Sequence, residues 1–226
     1  MSKTIYLSLH NNFFDKFIIK KREEIYNIII KKINFKKIKS ILDVGATEES
    51  SYKSSNYLAK KFKFVKNIYG LSNQNINKSF YKKVIKKSIV NKLSKSEEKK
   101  YKTDLVISNA VLEHVGSNSN QKKMLENIIK LSKKYFVLQT PNRYHPIEFH
   151  TKLLFIHWLP KKIFRKILKF VGLVHFSKEK NLNLVSEADI NQFLKQYRNK
   201  IKYNIYKIKF FGFTSNLVII GYILKK

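Results

Sequence analysis

The chain has 226 residues, 47 basic against 15 acidic, a formal net charge of +32, and no cysteine. The length suits one domain with its own core, and the lack of cysteine excludes disulfides and thiolate metal sites. No run of about 18 apolar residues occurs, which argues against a spanning helix, and the six histidines include no tight ligand pair, so the sequence carries no metal signature.

The opening residues Met1-Ser2-Lys3-Thr4-Ile5 lack the apolar region and cleavage site of a signal peptide, so a cytoplasmic location is the default expectation. Phe13, Phe14, Phe17, Ile18, Ile25, Ile28, Ile29 and Ile33 predict an amphipathic helix over residues 13–33, within an N-terminal helical region of residues 1–39. Residues 40–44 read as a short buried strand, 54–64 as a helix, 66–71 as a second strand and 84–90 as a third. The charged stretch 92–102 reads as a loop before a fourth strand at 104–108. Residues 121–131 place Met124, Ile128 and Leu131 on one helical face, and 135–139 form a fifth strand. This alternation predicts βαβ units and a mostly parallel sheet. Ser186-Glu187-Ala188-Asp189 begins a late helix with a capping pattern. Residues 201–211 and 216–224 then flank Gly212-Phe213-Thr214-Ser215 as a terminal antiparallel hairpin.

In open α/β sheets, ligands bind outside the carboxyl ends of strands. Three strand ends therefore hold the candidate site. The first is Asp43-Val44-Gly45-Ala46-Thr47-Glu48. The second, Asn109-Ala110-Val111-Leu112-Glu113-His114-Val115, follows the apolar Leu105-Val106-Ile107. The third, Thr140-Pro141-Asn142-Arg143-Tyr144-His145-Pro146-Ile147-Glu148-Phe149-His150-Thr151, continues to His157-Trp158-Leu159-Pro160. Residues 140–160 hold all three prolines, the only tryptophan and one of four arginines, in a chain otherwise dominated by Lys, Ile and Asn.

Together these segments resemble the class I S-adenosylmethionine (SAM)-dependent methyltransferases. The third is similar to a bacterial subgroup with a Thr-Pro-Asn-Arg…Pro-Ile-Glu-Phe-His-Thr segment, and the resemblance runs over about residues 40–184, including Glu179-Lys180-Asn181-Leu182-Asn183-Leu184. It implies an α/β, doubly wound, mostly parallel seven-stranded sheet of Rossmann-like type, ending in the hairpin. It implies one methyltransferase domain over residues 1–226, with 141–185 as a lid or acceptor-side insertion. The cofactor implied is SAM, with no metal. The reaction implied is in-line methyl transfer, chiefly to an oxygen of a small-molecule or saccharide acceptor. Asp43, Gly45 and Thr47 would lie at the methionyl end, Ser72 and Asn73 at the ribose, Ser88 near the adenine, and Asn109 and Ala110 by the sulfonium. The chain departs from the family's pattern in two places. A second glycine is missing after Gly45, where Thr47 and Glu48 stand, and no carboxylate follows the second strand.

Asn142, Arg143 and Glu113 are the acceptor-binding candidates, and His150, His114 and Glu148 the catalytic ones. Arg143 offers a planar fork to an anionic or hydroxyl-rich acceptor. His150 can take a proton with Glu148 orienting it, and His114 is the other candidate base. The same side chains also read as a buried network that only shapes the loops.

The positive charge invites a nucleic-acid partner, but 43 of the 47 basic residues are Lys, spread from end to end. Specific nucleic-acid binding is therefore not the expectation. Residues 153–174 combine an aromatic anchor with Lys161, Lys162, Arg165, Lys166 and Lys169, which suits a helical lid, peripheral contact with a membrane surface, or both. An RNA methyltransferase and a non-catalytic binding protein on a degenerate methyltransferase fold are the competing readings. The oligomeric state is not legible.

Overall fold

The computed structural model describes residues 12–48, 55–76 and 80–224. The strands are β1 (Ser40–Val44), β2 (Asn67–Ser72), β3 (Lys83–Lys86), β4 (Thr103–Asn109), β5 (Ser132–Pro141), β6 (Ile201–Phe210) and β7 (Phe213–Ile223). They form one seven-stranded sheet in the order β3-β2-β1-β4-β5-β7-β6. Strands β1 to β5 are parallel, β7 runs antiparallel to β5, and β6 antiparallel to β7. The helices are α1 (Asn12–Lys32), α2 (Tyr57–Lys61), α3 (Lys95–Tyr101), α4 (Asn118–Leu131), α5 (Lys161–Phe170), α6 (Val174–Ser177) and α7 (Glu187–Leu194).

Central parallel strands are mostly apolar because both faces are covered. Leu42, Val44, Val106, Phe136 and Leu138 join Met124, Leu125 and Ile128 of α4 and Ile190, Phe193 and Leu194 of α7 in one core layer. Ile41, Leu105, Ile107 and Val137 pack instead with Ile25 and Ile29 of α1 and Leu58 and Ala59 of α2. Burying each such Leu or Ile contributes about 1.5–3 kcal/mol.

The stretch expected to be a charged loop before β4 contains α3 instead. The Ser94 hydroxyl accepts from Glu97 N at 3.1 Å, and the Glu97 carboxylate accepts from Ser94 N at 2.8 Å. This reciprocal cap satisfies two orphan amides and starts a helix with no buried residue. The third strand stops at Lys86 rather than running to Val90. Beyond it the chain turns, and Asn127 on α4 donates to the carbonyls of Ile89 and Asn91 at 2.6 and 2.9 Å. The second helix is shorter than expected, and its expected start at Ser54 lies outside the described residues. The hairpin turn is two residues tighter than the Gly-Phe-Thr-Ser run implied. Phe210 pairs with Phe213, and Phe211 and Gly212 both have positive φ, 47° and 78°. Positive φ at both central residues is the two-residue turn that matches strand twist.

Residues 142–185 leave the sheet after β5 and rejoin it, with Asn142 and Val185 forming a parallel bridge. This excursion has its own small core of Phe164, Leu168, Phe176, Leu182 and Leu184. On α5, Phe164 and Leu168 face inward while Lys162, Ile163, Lys166, Lys169 and Phe170 are exposed. Among the described residues, no helix is long and apolar enough to cross a membrane.

Candidate active site

Parallel pairing of β1 with β2 and β4 brings three strand-end loops to one edge of the sheet. They enclose a cleft of about 560 Å³ lined by Gly45, Thr47, Ser72, Asn73, Ser88 and Ala110. Asp43 and Asn109 open instead onto an adjoining cavity of about 250 Å³, whose walls share Gly45, Thr47 and Ala110 with the cleft.

The turn after β1 admits only glycine at position 45. Its φ is +90°, and a Cβ there would lie 2.3 Å from Val111 Cγ2. Gly45 N donates to Leu71 O at 2.9 Å, which ties the turn to β2. Where the second glycine is missing, Asn56 takes over. Thr47 N donates to Asn56 Oδ1 at 2.9 Å, and Asn56 Nδ2 donates to Thr47 O at 2.6 Å. Across the cleft, Ala110 holds φ 55° and donates its N–H to Gln139 O at 3.0 Å. A left-handed non-glycine residue costs about 1–3 kcal/mol, and its presence marks a loop over-determined by its neighbours.

Asp43 points to the buried side of β1 and accepts the Tyr81 hydroxyl at 2.5 Å. Burial pushes its carboxyl up to about 6, against the pull of the Tyr81 hydrogen bond. Arg22 on α1 lines the same cavity as Asp43 and Asn109. Burial pulls its guanidinium down to about 10, partly offset by Tyr57. It has no hydrogen-bond or ion-pair partner among the described residues, and the buried Oδ1 of Asn109 has none either.

Opposite, the short 3-10 turn Leu112–His114 and the segment after β5 meet. Glu113 is wholly buried; one of its oxygens accepts the Thr140 hydroxyl at 3.0 Å and the other, Oε1, has no hydrogen-bond partner among the described residues. His114 lines the cleft. Its Nδ1 faces Asn181 O at 2.7 Å. A carbonyl can only accept, so Nδ1 carries the proton and Nε2 keeps its lone pair. His150 Nδ1 lies 2.7 Å from Glu148 Oε1, and the other Glu148 oxygen accepts from Thr151 N at 2.6 Å. The two imidazoles meet edge to face at 4.9 Å.

Burial works against charge on both rings. It prevails at His114, whose pKa falls despite Glu113, so the ring is neutral at pH 7. At His150 the Glu148 carboxylate overcomes burial and raises the pKa. Burial would raise Glu148 in turn, but His150 and the backbone amides hold it well below the usual carboxylate range. His114 is therefore the better proton acceptor at neutral pH, and Glu148 favours the protonated form of His150.

Arg143 does not meet this group. Its Nε and Nη2 donate to the carbonyls of His157 and Leu159 at 3.3 and 3.1 Å, with the guanidinium over the Tyr144 ring. Asn142 donates its Nδ2 to Thr214 O at 2.9 Å. Both fasten the loop to its surroundings. His145 stacks on Phe149 at 4.9 Å and on Phe210 at 5.7 Å, while His157 bonds the His145 carbonyl at 2.7 Å. Much of the unusual composition of this segment thus serves its shape.

Arg22, Asn56 and Asn181 are site residues that the sequence reading passed over. Arg22 carried the same signal as Arg143, a rare guanidinium in a Lys-dominated chain. Asn56 and the Asn181 carbonyl carried none, because their roles depend on partners 9 and 67 residues away.

No protein-family model matches the chain, and no curated protein does. Solved structures do resemble it. Magnesium protoporphyrin IX methyltransferase (ChlM) from Synechocystis PCC 6803, with bound SAH, is 13% identical over 93% of this chain and 83% of that one, at TM-score 0.53. N-methyltransferase NodS from Bradyrhizobium japonicum WM9 is 8% identical over 91% and 98%, at 0.51. Small RNA methyltransferase HEN1 is 12% identical over 91% of this chain but only 25% of that one, at 0.57. At these identities the likeness concerns architecture. With its strand order and terminal antiparallel hairpin, the chain has the seven-stranded Rossmann-like fold of these methyltransferases.

Proposed function

We propose that this chain is a SAM-dependent methyltransferase acting on an oxygen of a small-molecule or saccharide acceptor. The observation that carries it is the convergence on one cleft of the Gly45–Thr47 turn, the β2 end at Ser72 and Asn73, and the Ala110 loop, with His114 at its wall. The methionyl part of SAM would lie along Gly45 and Thr47, the ribose by Ser72 and Asn73, the adenine by Ser88, and the sulfonium beside Ala110. Alignment of donor and acceptor supplies most of the rate. His114 or His150 takes the acceptor's proton, with Glu148 orienting His150.

Isothermal titration of the full chain with S-adenosylhomocysteine (SAH) tests this. A one-to-one complex supports it, and no heat at millimolar ligand with folded protein ends it in favour of a binding protein on a methyltransferase fold. His114→Ala or His150→Ala should cut turnover by on the order of 10²-fold while leaving SAH affinity nearly unchanged. If both only lower the melting temperature, the two rings shape the loops and do nothing more.

The net charge of +32 favours an RNA acceptor as a second reading. For location, we propose the cytoplasm, at the inner membrane face. Exposed Leu154, Phe155, Trp158, Ile163 and Phe170 lie beside exposed Lys162, Lys166 and Lys169, an apolar and cationic mixture suited to anionic lipid. Co-sedimentation with anionic but not neutral vesicles tests it.

A further inference from the structure

We propose that Glu113, His114 and His150 bind one divalent first-row transition-metal ion, leaving an open coordination position for an oxygen ligand from the cleft. One nitrogen from each ring and one carboxylate oxygen lie within 4.8 Å of one another. The site was illegible in the sequence, where Glu113 and His114 are adjacent and His150 lies far along the chain.

Three features distinguish this cluster from a chance meeting. First, the second polar atom of every member is already engaged. His114 Nδ1 is held by Asn181 O, His150 Nδ1 by Glu148 Oε1, and Glu113 Oε2 by the Thr140 hydroxyl. The atoms left over are Nε2, Nε2 and Oε1. A histidine that ligates through one nitrogen and gives the other N–H to a carbonyl or carboxylate is the usual outer-shell arrangement of metal sites. Second, Glu113 Oε1 is buried with no hydrogen-bond partner among the described residues, 3.9 Å from His114 Nε2. A buried carboxylate oxygen left unpaired is costly, and a cation removes that cost. Third, the set is mixed nitrogen and oxygen. Two imidazoles and one carboxylate suit the transition dications better than Mg²⁺ or Ca²⁺, which prefer all-oxygen cages.

Donors about 2.1 Å from an ion stand about 3.0–3.4 Å apart, so the cluster closes by roughly 1 Å on binding. Rotation of the half-exposed His114 ring supplies part of that. Three protein donors leave at least one position free, as in catalytic rather than structural sites. His114 lines the cleft, so that position faces it. Binding the ion does not depend on the methyl-transfer reading. Its use does: with the ion bound, both imidazoles are ligands rather than free bases, and the ion would hold the acceptor's hydroxyl and ease loss of its proton.

The test is titration of the full-length protein with Co²⁺, without any methyl donor, followed by visible d–d absorption and competition with Zn²⁺. We expect one equivalent per chain at micromolar dissociation constant or tighter. Glu113→Gln, close in shape and still able to accept from Thr140, and His150→Gln should each weaken binding at least tenfold. The exposed His175→Ala should leave it unchanged. Thermal melts confirm that each variant is folded; if either cluster variant is not, the half-exposed His114→Gln replaces it with the same expectation. Absence of d–d bands at 1 mM Co²⁺ in the wild type, or Co²⁺ binding by the folded cluster variants equal to wild type, overturns the proposal. SAH titration of the same sample reports separately on the methyl-transfer reading.

Discussion

Asn56 grips Thr47 with both ends of its carboxamide, accepting from the Thr47 amide at 2.9 Å and donating to the Thr47 carbonyl at 2.6 Å. The turn after β1 is thereby held in shape by a side chain where a second glycine is absent. Asn56 adopts φ 52°, a conformation that asparagine tolerates better than most residues. Replacing it with alanine removes these two hydrogen bonds and a third from the Thr47 hydroxyl at 3.2 Å, and strains the backbone.

Asn56→Ala should therefore lower stability by about 1–2 kcal/mol and weaken SAH binding at least tenfold. Denaturant melts and isothermal titration measure the two effects. SAH affinity equal to wild type in folded Asn56→Ala would show that the amide clamp does not shape the binding turn.

Arg22, beside the Gly45 turn, is a cation without a hydrogen-bond or ion-pair partner among the described residues. A guanidinium out of water wants an anion, and the methionyl carboxylate of the proposed donor would supply one. SAH carries that carboxylate, while 5′-methylthioadenosine lacks it. The wild type should prefer SAH by tenfold or more, and Arg22→Gln should erase most of the preference without weakening 5′-methylthioadenosine. An unchanged preference in Arg22→Gln assigns the carboxylate to another group.

Asp43 has a folded pKa of about 6 against an ordinary value of 3.8, raised by burial. The raised value means that the folded state holds the proton more tightly than the unfolded one. Its contribution is complete below about pH 4 and lost as pH rises through about 6. The penalty at pH 7.5 amounts to roughly 3 kcal/mol. Asn in its place still accepts the Tyr81 hydroxyl and carries no charge. Asp43→Asn should thus gain stability relative to wild type as pH rises from 4 to 7.5. Paired denaturant melts across that range check this, and a difference independent of pH refutes it.

RNA binding separates the two acceptor classes. For a dispersed Lys surface, affinity should fall steeply with salt and ignore sequence. Filter binding at several salt concentrations measures both. One RNA held tightly at about 0.3 M salt would move the RNA acceptor ahead of the saccharide or small molecule.

The sheet was legible because buried parallel strands are short apolar runs between polar breaks. Ser40–Val44 and the strand after Lys102 needed nothing else. The start of α7 was legible for the same local reason, since Ser186 and Asp189 satisfy each other's amides within one turn. Helix α3 carried an equally local cap, Ser94 with Glu97, but its lack of apolar residues hid it from a periodicity reading. The residues around Gly45, Ser72 and Ala110 could be placed near one cleft because parallel strands end on one side. What the sequence could not contain is direction and company. Arg143 and His150 stand in the same rare stretch, yet one reaches out to the carbonyls of His157 and Leu159 and the other turns in toward Glu113. The difference arises because β4 and β5 are neighbours, so the loops beyond them meet at Glu113, His114 and His150, while Arg143 falls where the excursion after β5 folds back on itself. Local pattern determined the layers and the edge where the site lies; the packing of distant segments decided which side chains share it.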